Sequence, residues 1–388
     1  ETALNADLVI VGNAIKRGMP VLEALLNARK PIISGPQWLA ENILPRYKVI
    51  AVSGTHGKTT TTAMITHILQ HCGLEPAFLI GGVASSMQTN AHLGKGEWFV
   101  IEADEYDSAF FDKRPKLMHY RPQVAVLNNL EFDHADIYPN LEAIQQQFHY
   151  FIRTIPENGM VLYNRDDAAI NTVLKQGVYS QSAALALDSK ADWGAVLTHP
   201  DGSAFELWQA GERKAEINWS LLGDFNVANG LAALTASAQT SLSLQDAAAA
   251  LSEFTPVKRR LEKKGEVNGI TVYDDFAHHP TAIRKTINAL HQSARHKRII
   301  AILEMASFTM RQGVHQKQMG EALQQADCVV ILQPEAFSLQ TLKEQRPESF
   351  FIETDTSAML NRLQLLLQEG DAALVMSNRG FDGLHQRL

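Results

Sequence analysis

Short apolar runs recur along the chain, and stretches with helical periodicity separate them. The strand-like runs are "KVIAVS" (48–53), "EWFVIEA" (97–103), "QVAVLNN" (123–129), "GITVYDD" (269–275), "RIIAILE" (298–304), "ADCVVIL" (326–332) and "AALVMSN" (372–378). Several are apolar at nearly every position, as in parallel strands covered on both faces. Helical patterns lie at 58–71, 141–153, 227–240, 280–294, 315–325 and 357–368. Such alternation predicts an α/β fold with a mostly parallel sheet. From Trp193 to Trp219 the pattern is short and alternating, with turn signals at "PDGS" and "AGER". That stretch reads as an antiparallel meander at a sheet edge.

The predicted units are 1–45, 46–255 and 256–388. The first holds "DLVIVG" (Asp7–Gly12), a helix-like "VLEALLNA" and a short "PIIS" before Pro45. So small a unit buries too little surface to fold alone. It is expected to be the remnant of a larger sheet that residues upstream of Glu1 would complete. "LPRYK" (44–48) divides it from the next unit. "FTPVKRRLEKKGEVNG" (254–269), with Pro256 and a basic run, reads as the second linker. The chain carries 35 basic and 42 acidic side chains, a net charge of −7, so no basic face for nucleic acid is expected. No apolar run approaches the ~20 residues of a membrane span, so membrane insertion is not expected, nor is a secretory leader before Leu4. Cys72 and Cys328 lie in separate contexts and fit a reducing compartment.

"VIAVSGTHGKTTTTAM" (49–64) is a strand, a glycine turn and a helix start. Its spacing is shorter than G-x-x-x-x-G-K-[ST], because Val52 stands where the first glycine would be. Gly54 and Gly57 let the backbone turn tightly and bring N–H groups toward an anion. The helix beginning near Lys58 adds unsatisfied N–H groups and a positive dipole end. Lys58 can reach terminal phosphates, and the Thr59 hydroxyl can bind Mg2+. A plain turn with capping threonines is the alternative. It leaves a cation at a helix N-terminus, where the dipole disfavours it unless an anion binds.

Two further strand ends carry polar clusters. "FVIEADEYDSAFFD" (99–112) places Glu102 at the carboxyl end of a strand, the side on which ligands bind in open α/β sheets. Asp104, Glu105 and Asp107 follow closely; an acidic surface loop is the alternative. "VAVLNNLEFDHADIY" (124–138) puts His134 between Asp133 and Asp136, placed as a metal ligand or as a structural histidine. If the ends meet at one rim, Lys58, Thr59, Glu102 and His134 form a phosphate and divalent-cation site. In "LLGDFNVANGLAALTA" (221–236), Asn226 and Asn229 offer amides suited to an adenine edge, or simple helix caps. "PVKRRLE" presents Arg259 and Arg260 as phosphate clamps. "TVYDDFAHHPTAI" (271–283) ends a strand in Asp274 and Asp275, the latter suited to a ribose hydroxyl. Pro280 suits a first helical position, and capping does not account for the paired His278 and His279.

"GTHGKTT", "IEADEYD", "NNLEFDHADIY", "GDFNVANGLAA" and "DDFAHHPTAI", in that order, resemble the Mur ligase family. Its members are ATP-dependent, amide-forming enzymes of bacterial peptidoglycan, and their loop is G-T-x-G-K-[ST]. The resemblance covers essentially the whole chain. It implies a truncated N-terminal Rossmann-like domain, a central P-loop ATPase-type domain and a C-terminal Rossmann-like domain. By resemblance, Gly54, Thr55, His56, Gly57, Lys58, Thr59 and Thr60 cradle ATP. Lys58 meets its β/γ-phosphates, Thr59 and Glu102 hold Mg2+, and His134 holds a second Mg2+ near an acyl phosphate. Asn226 and Asn229 lie near the adenine, Arg260 near phosphate and Asp275 near the ribose. Lys58, Glu102 and His134 are the implied catalytic residues. Asp104, Tyr106, His278, Arg311 and Arg379 are assigned to substrate. "SGPQWL", "IEADEYDSAFFDKR" and "VKRRLE" resemble the branch that joins UDP-N-acetylmuramate to the murein tripeptide L-alanyl-γ-D-glutamyl-meso-diaminopimelate. The sibling that adds L-alanine is the alternative. A bacterial cytoplasmic monomer or weak oligomer is expected. Two departures stand out. The family's N-terminal glycine-rich turn for the uridine diphosphate is missing. "LEMASFTMRQGVH" (303–315) has Met305-Ala306-Ser307-Phe308 where the family has Pro-Arg-Ser-Asn. A non-catalytic ATP-binding protein is the rival class, and it has no use for Glu102, His134 or the Asp274–His279 cluster.

Overall fold

The computed structural model describes residues 2–82, 89–334 and 338–388. The elements that carry the site are β1 (Lys48–Ser53), α1 (Lys58–His71), β2 (Trp98–Glu102), β3 (Val124–Leu127), α2 (Asp224–Ser237), β4 (Ile270–Asp275) and α3 (Pro280–Ser293). Every residue of β1 after Lys48 is buried. Alternation along the strand sends neighbouring side chains to opposite faces. Ile50 and Val52 pack with Met64 and Ile68 of α1 and Leu231 of α2. Val49 and Ala51 pack with Phe148 and Phe151 of the helix Leu141–Ile152. A strand covered on both sides reads as a continuous apolar run, which is why the sequence pattern exposed it.

Among the described residues the central sheet has ten strands. In spatial order they are Glu212–Asn218, Ala204–Gln209, Trp193–Leu197, Gln181–Ala186, Met160–Asn164, β3, β1, β2, Ala77–Leu79 and Ala91–His92. The pairs from Trp193–Leu197 through Ala77–Leu79 are parallel. The three strands between Trp193 and Asn218 form the expected antiparallel edge. Register sets where the central strands end. Val52 of β1 pairs with Glu102 of β2, and Ser53 pairs with Leu127 of β3. The three strands therefore stop level with one another, and the loops leaving them share one rim.

The second large sheet runs Glu262–Val267, β4, Asp371–Met376, Arg298–Leu303, Cys328–Leu332 and Phe350–Glu353. Its first pair is antiparallel and the others are parallel. The stretch 254–269, expected to be a linker, is thus partly an edge strand. Its lysines and glutamates give no apolar period, and charged residues on an edge strand discourage pairing with another chain. At the N-terminus Val9–Val11 pairs in parallel with Ile32–Ser34. Ser34 Oγ then reaches the buried Asp112 Oδ2 at 3.4 Å.

Other boundaries moved for local reasons. The helix expected at 227–240 begins at Asp224, because Gly223 at φ 90° turns the chain just before it. The helix expected at 315–325 is the shorter Gln316–Ala322, and a separate turn of helix, Phe308–Arg311, precedes it across Gly313 at φ 71°. Met160–Asn164, Gln181–Ala186 and Phe350–Glu353 are strands too short and mixed in polarity to be anticipated.

Candidate functional site

The loop after β1 needs both glycines. Gly54 has φ 134°, and a Cβ there would lie 2.9 Å from the Asn129 carbonyl oxygen. Gly57 has φ 81°, and a Cβ there would lie 2.4 Å from Asn229 Oδ1. The loop is laced to the segment after β3. Thr55 N donates to Asn129 O at 3.1 Å, and Glu131 N donates to Thr55 Oγ1 at 2.8 Å. His56 N donates to Asn129 Oδ1 at 2.7 Å, while Asn129 Nδ2 returns a bond to His56 O at 3.0 Å. Thr60, in the first turn of α1, is 6% exposed.

Lys58 Nζ donates to Gly54 O at 2.6 Å and to Glu105 Oε2 at 2.9 Å, with Asp104 Oδ1 at 3.6 Å. Glu105 is 2% exposed, and its other oxygen lies 3.1 Å from His134 Nε2. Asp104 Oδ2 accepts from Lys116 Nζ at 2.9 Å. The Tyr106 ring packs on the His134 imidazole, centroids 4.1 Å apart. His134 has φ 57°, a left-handed backbone that costs a non-glycine residue roughly 1–2 kcal/mol. Its N–H donates to Asp133 Oδ1 at 2.7 Å, which helps hold that turn.

Opposed charges settle the protonation states. Burial alone would lower Lys58, but Glu105 and then Asp104 outweigh it and hold the ammonium. Burial would lower His134, yet the Glu105 hydrogen bond and charge raise it. Burial pushes Asp104 up; Lys58 and Lys116 pull it down to about 2. Glu102 differs: burial dominates and raises it.

Glu102 Oε2 accepts from Thr59 Oγ1 at 3.2 Å, and its Oε1 accepts from Gly81 N at 2.6 Å. Arg260 Nη2 reaches Thr59 Oγ1 at 3.4 Å from the far side, its guanidinium 4.9 Å from the Phe276 ring centroid. Thr59 and Glu102 are oxygen donors, the chemistry that Mg2+ takes. Donor atoms of Asp104, Glu105 and His134 lie within 4.8 Å of one another. The rim therefore brings Lys58, Thr59, Glu102, Asp104, Tyr106, His134 and Arg260 together.

The remaining expected residues have other neighbours. Asn229 Oδ1 accepts from Thr61 Oγ1 at 3.2 Å, which packs α2 against α1 beneath the loop. Asn226 Nδ2 donates to Leu222 O at 2.8 Å. Both Asp275 oxygens accept backbone N–H groups, from Leu261 at 2.6 Å and Ala277 at 2.7 Å. His278 Nδ1 lies 3.0 Å from Phe276 O, and its Nε2 lies 3.9 Å from Asp133. Arg311 ends the short helix whose Thr309 hydroxyl accepts from Ala135 N at 3.3 Å, one residue past His134. Arg379 contacts Ser377 and Arg259 and makes none of the contacts that knit the Lys58–Glu105 network.

Glu105 and Glu131 received no role from sequence. Glu105 stood in view, three residues after Glu102 in "EADE". What hid its part is that its partners lie 47 and 29 residues away. Glu131 is likewise read only through the loop it faces.

Known proteins share this arrangement of sequence and fold. Residues 52–237 match the Mur ligase middle domain family, and residues 259–379 match the family described as Mur ligase, glutamate ligase domain. The UDP-N-acetylmuramate–L-alanyl-γ-D-glutamyl-meso-2,6-diaminoheptandioate ligase of Haemophilus influenzae is 46% identical over 385 residues, covering 98% of this chain and 84% of that protein. The UDP-N-acetylmuramate–L-alanine ligase of Desulforapulum autotrophicum is 31% identical over 387 residues, covering 96% of this chain and 82% of that protein. The crystal structure of a murein peptide ligase from Psychrobacter arcticus superposes with a TM-score of 0.74 at 40% identity, covering 98% of this chain and 85% of that one. The chain belongs to the Mur ligase family.

Proposed function

We propose that this chain is an ATP-dependent ligase that joins UDP-N-acetylmuramate to L-alanyl-γ-D-glutamyl-meso-diaminopimelate, in murein recycling. One observation carries the choice of substrate. Identity is 46% to a ligase named for that tripeptide and 31% to one named for L-alanine, over nearly the same span. The rim geometry supports the chemistry. A lysine, a threonine hydroxyl, the half-buried Glu102 and the buried Glu105 meet at the N-terminus of α1, where an anion is favoured.

An amine does not displace the oxygen of a carboxylate at neutral pH, so the acid must first be activated. The lactyl carboxylate attacks the γ-phosphorus, the bond to ADP breaks, and an acyl phosphate results. The amine of L-alanine in the tripeptide then attacks the acyl carbon; phosphate leaves and one proton is released. Gly54, Thr55, His56, Gly57 and Thr60 shape the phosphate cradle. Lys58 exchanges its contact with Glu105 for developing phosphoryl charge. Thr59 and Glu102 would hold Mg2+, with a second ion at His134, and these ions would neutralise phosphoryl charge. His134, whose Nε2 rests on Glu105, or a neighbouring carboxylate takes the amine proton. Arg260 binds phosphate while joining the C-terminal unit to Thr59. Asn226, Asn229 and Asp275 adjoin the nucleoside, and Asp104, Tyr106, His278, Arg311 and Arg379 take part in binding the sugar acid and peptide. Closure of the C-terminal unit over the rim excludes water from the acyl phosphate.

The units 1–45, 46–255 and 256–388 are proposed as domains, since each of the three sheets lies within one of them. A bacterial cytoplasmic monomer or weak oligomer fits two free cysteines, and no helix among the described residues is long and apolar enough to cross a membrane. The test is direct. The purified full-length protein receives ATP, Mg2+ and UDP-N-acetylmuramate with either the tripeptide or L-alanine, and products are read by mass. Tripeptide adduct with stoichiometric ADP is expected. An adduct with L-alanine alone, or ADP release independent of the peptide, overturns the reading.

A further inference from the structure

Between the central and C-terminal units lies a cavity of about 380 Å³, within the ~300–1,000 Å³ of small-molecule sites. Phe132 and Leu141 line it from the central unit. His279 and Arg284 of α3 and its cap, and His315 and Glu321 of the helix Gln316–Ala322 and its cap, line it from the other side. Glu131 also borders it but is occupied. Its Oε2 accepts from Thr281 Oγ1 at 2.8 Å and lies 3.4 Å from His56 Nε2 and 3.2 Å from His279 Nδ1.

Each of the four facing polar side chains keeps an unused group. The Thr281 N–H donates to His279 Nδ1 at 3.3 Å, so the proton of the neutral ring sits on Nε2, on the side away from Glu131. Burial, and then His56, keep this imidazole neutral, at about 3. His315 Nδ1 donates to Gln318 Oε1 at 3.1 Å, which leaves a lone pair on Nε2 of the neutral ring. His279 is 4% exposed and His315 is 6% exposed, and neither Nε2 has a hydrogen-bond partner among the described residues. The two rings meet edge to face, centroids 4.5 Å apart, without bonding to each other. A buried donor and a buried acceptor left unpaired are both costly, and a ligand in the cavity supplies their partners. Arg284 and Glu321 are exposed, and neither side chain makes a hydrogen bond or ion pair with any described residue, including each other.

The cavity thus offers one free cation, one free carboxylate, one free N–H and one free lone pair. That set is complementary to an ammonium and a carboxylate carried on the same carbon. We propose that the cavity seats such an amino-acid terminus and, resting on the ligase reading above, that the terminus is the free end of the diaminopimelate in the tripeptide. Arg284 and the His279 Nε2–H hold its carboxylate, while Glu321 and the His315 Nε2 lone pair hold its ammonium. The apolar Phe132 and Leu141 lie along the methylenes that lead to it. An L-lysine in the third position ends in an ammonium alone. It would leave Arg284 and the His279 N–H unpaired, and a site built to bond a group discriminates against the analogue that lacks it.

The full-length protein is assayed with ATP, Mg2+, UDP-N-acetylmuramate and either the diaminopimelate tripeptide or the same peptide ending in L-lysine. The parent should favour diaminopimelate in kcat/KM by about 10-fold or more, the scale of one charge-assisted hydrogen bond. Arg284→Gln should raise KM for the diaminopimelate peptide by about 10-fold and leave the lysine peptide within about 2-fold, so that the preference collapses. Glu321→Gln should weaken both peptides, because both carry the ammonium. Both side chains are exposed, so circular dichroism and KM for ATP should not change. Equal use of the two peptides by the parent, or a preference that survives Arg284→Gln, would overturn the pocket while leaving the ligase reading in place. No adduct with either peptide would overturn both.

Discussion

Gly57→Ala tests how tightly the loop is built. An L-residue at φ 81° costs roughly 1–2 kcal/mol for backbone alone. The new Cβ would stand 2.4 Å from Asn229 Oδ1. Ordinary contact needs about 3.4 Å, so Asn229 must retreat by about 1 Å. Its bond from Thr61 Oγ1 is already 3.2 Å long and would break. Thr61 is fully buried, and a buried hydroxyl that loses a partner costs about 1–3 kcal/mol. Gly73→Ala is the control. That glycine has φ 76° just past the C-cap of α1, and its Cβ would meet nothing within 4 Å. It should cost the backbone share only. The two variants should therefore differ by about 1–3 kcal/mol, roughly 5- to 150-fold in the unfolding constant. Urea unfolding reads this through tryptophan fluorescence, since Trp98, Trp193 and Trp219 lie in the core packed on α1. Equal midpoint shifts at equal slope would refute the contact argument. A further variant, Gly57→Ala with Asn229→Ala, should cost less than the sum of its two single variants, because each of them loses the same Thr61–Asn229 bond.

Lys58→Ala should lower ligase turnover by at least about 100-fold, as expected when a charge on a transferring phosphoryl group loses its partner, with far-ultraviolet circular dichroism unchanged. Activity within a few-fold of the parent would remove Lys58 from the chemistry. Asp104 sits at about 2, well below its unfolded value of 3.8. A depressed carboxylate stabilises the fold above the unfolded value and loses that contribution as pH falls toward 2. The urea midpoint should decline over that window, and Asp104→Asn should flatten the decline; an unchanged slope would count against the Lys58–Asp104–Lys116 cluster. Glu102→Gln should raise the Mg2+ concentration for half-maximal rate by about 10-fold or more, since one of two oxygen-donor side chains loses its charge. An unaltered Mg2+ dependence would move the ion elsewhere.

Much of the fold was readable because its signals are local. β1, β2 and β3 are buried runs, α1 comes directly after Gly57, and Pro280 opens α3. The edge strand Glu262–Val267 was not readable, since its mixed charges look like any solvated segment until β4 is beside it. The same limit applied at the site. Lys58, Thr59, Glu102 and His134 were each picked out by a strand end, but the pairing of Lys58 and His134 through Glu105 was not. Nor was the meeting of His56 with Glu131 and His279.

Sequence alone determined which residues end β1, β2, β3 and β4, where glycine must turn the chain and which motifs place it among the Mur ligases. Tertiary structure decided which of those ends touch. Parallel register sets Val52 level with Glu102 and Ser53 level with Leu127, and so it carries three distant loops to one rim. Register depends on backbone hydrogen bonds and side-chain packing between strands far apart in the chain, and no window of neighbouring residues contains that information.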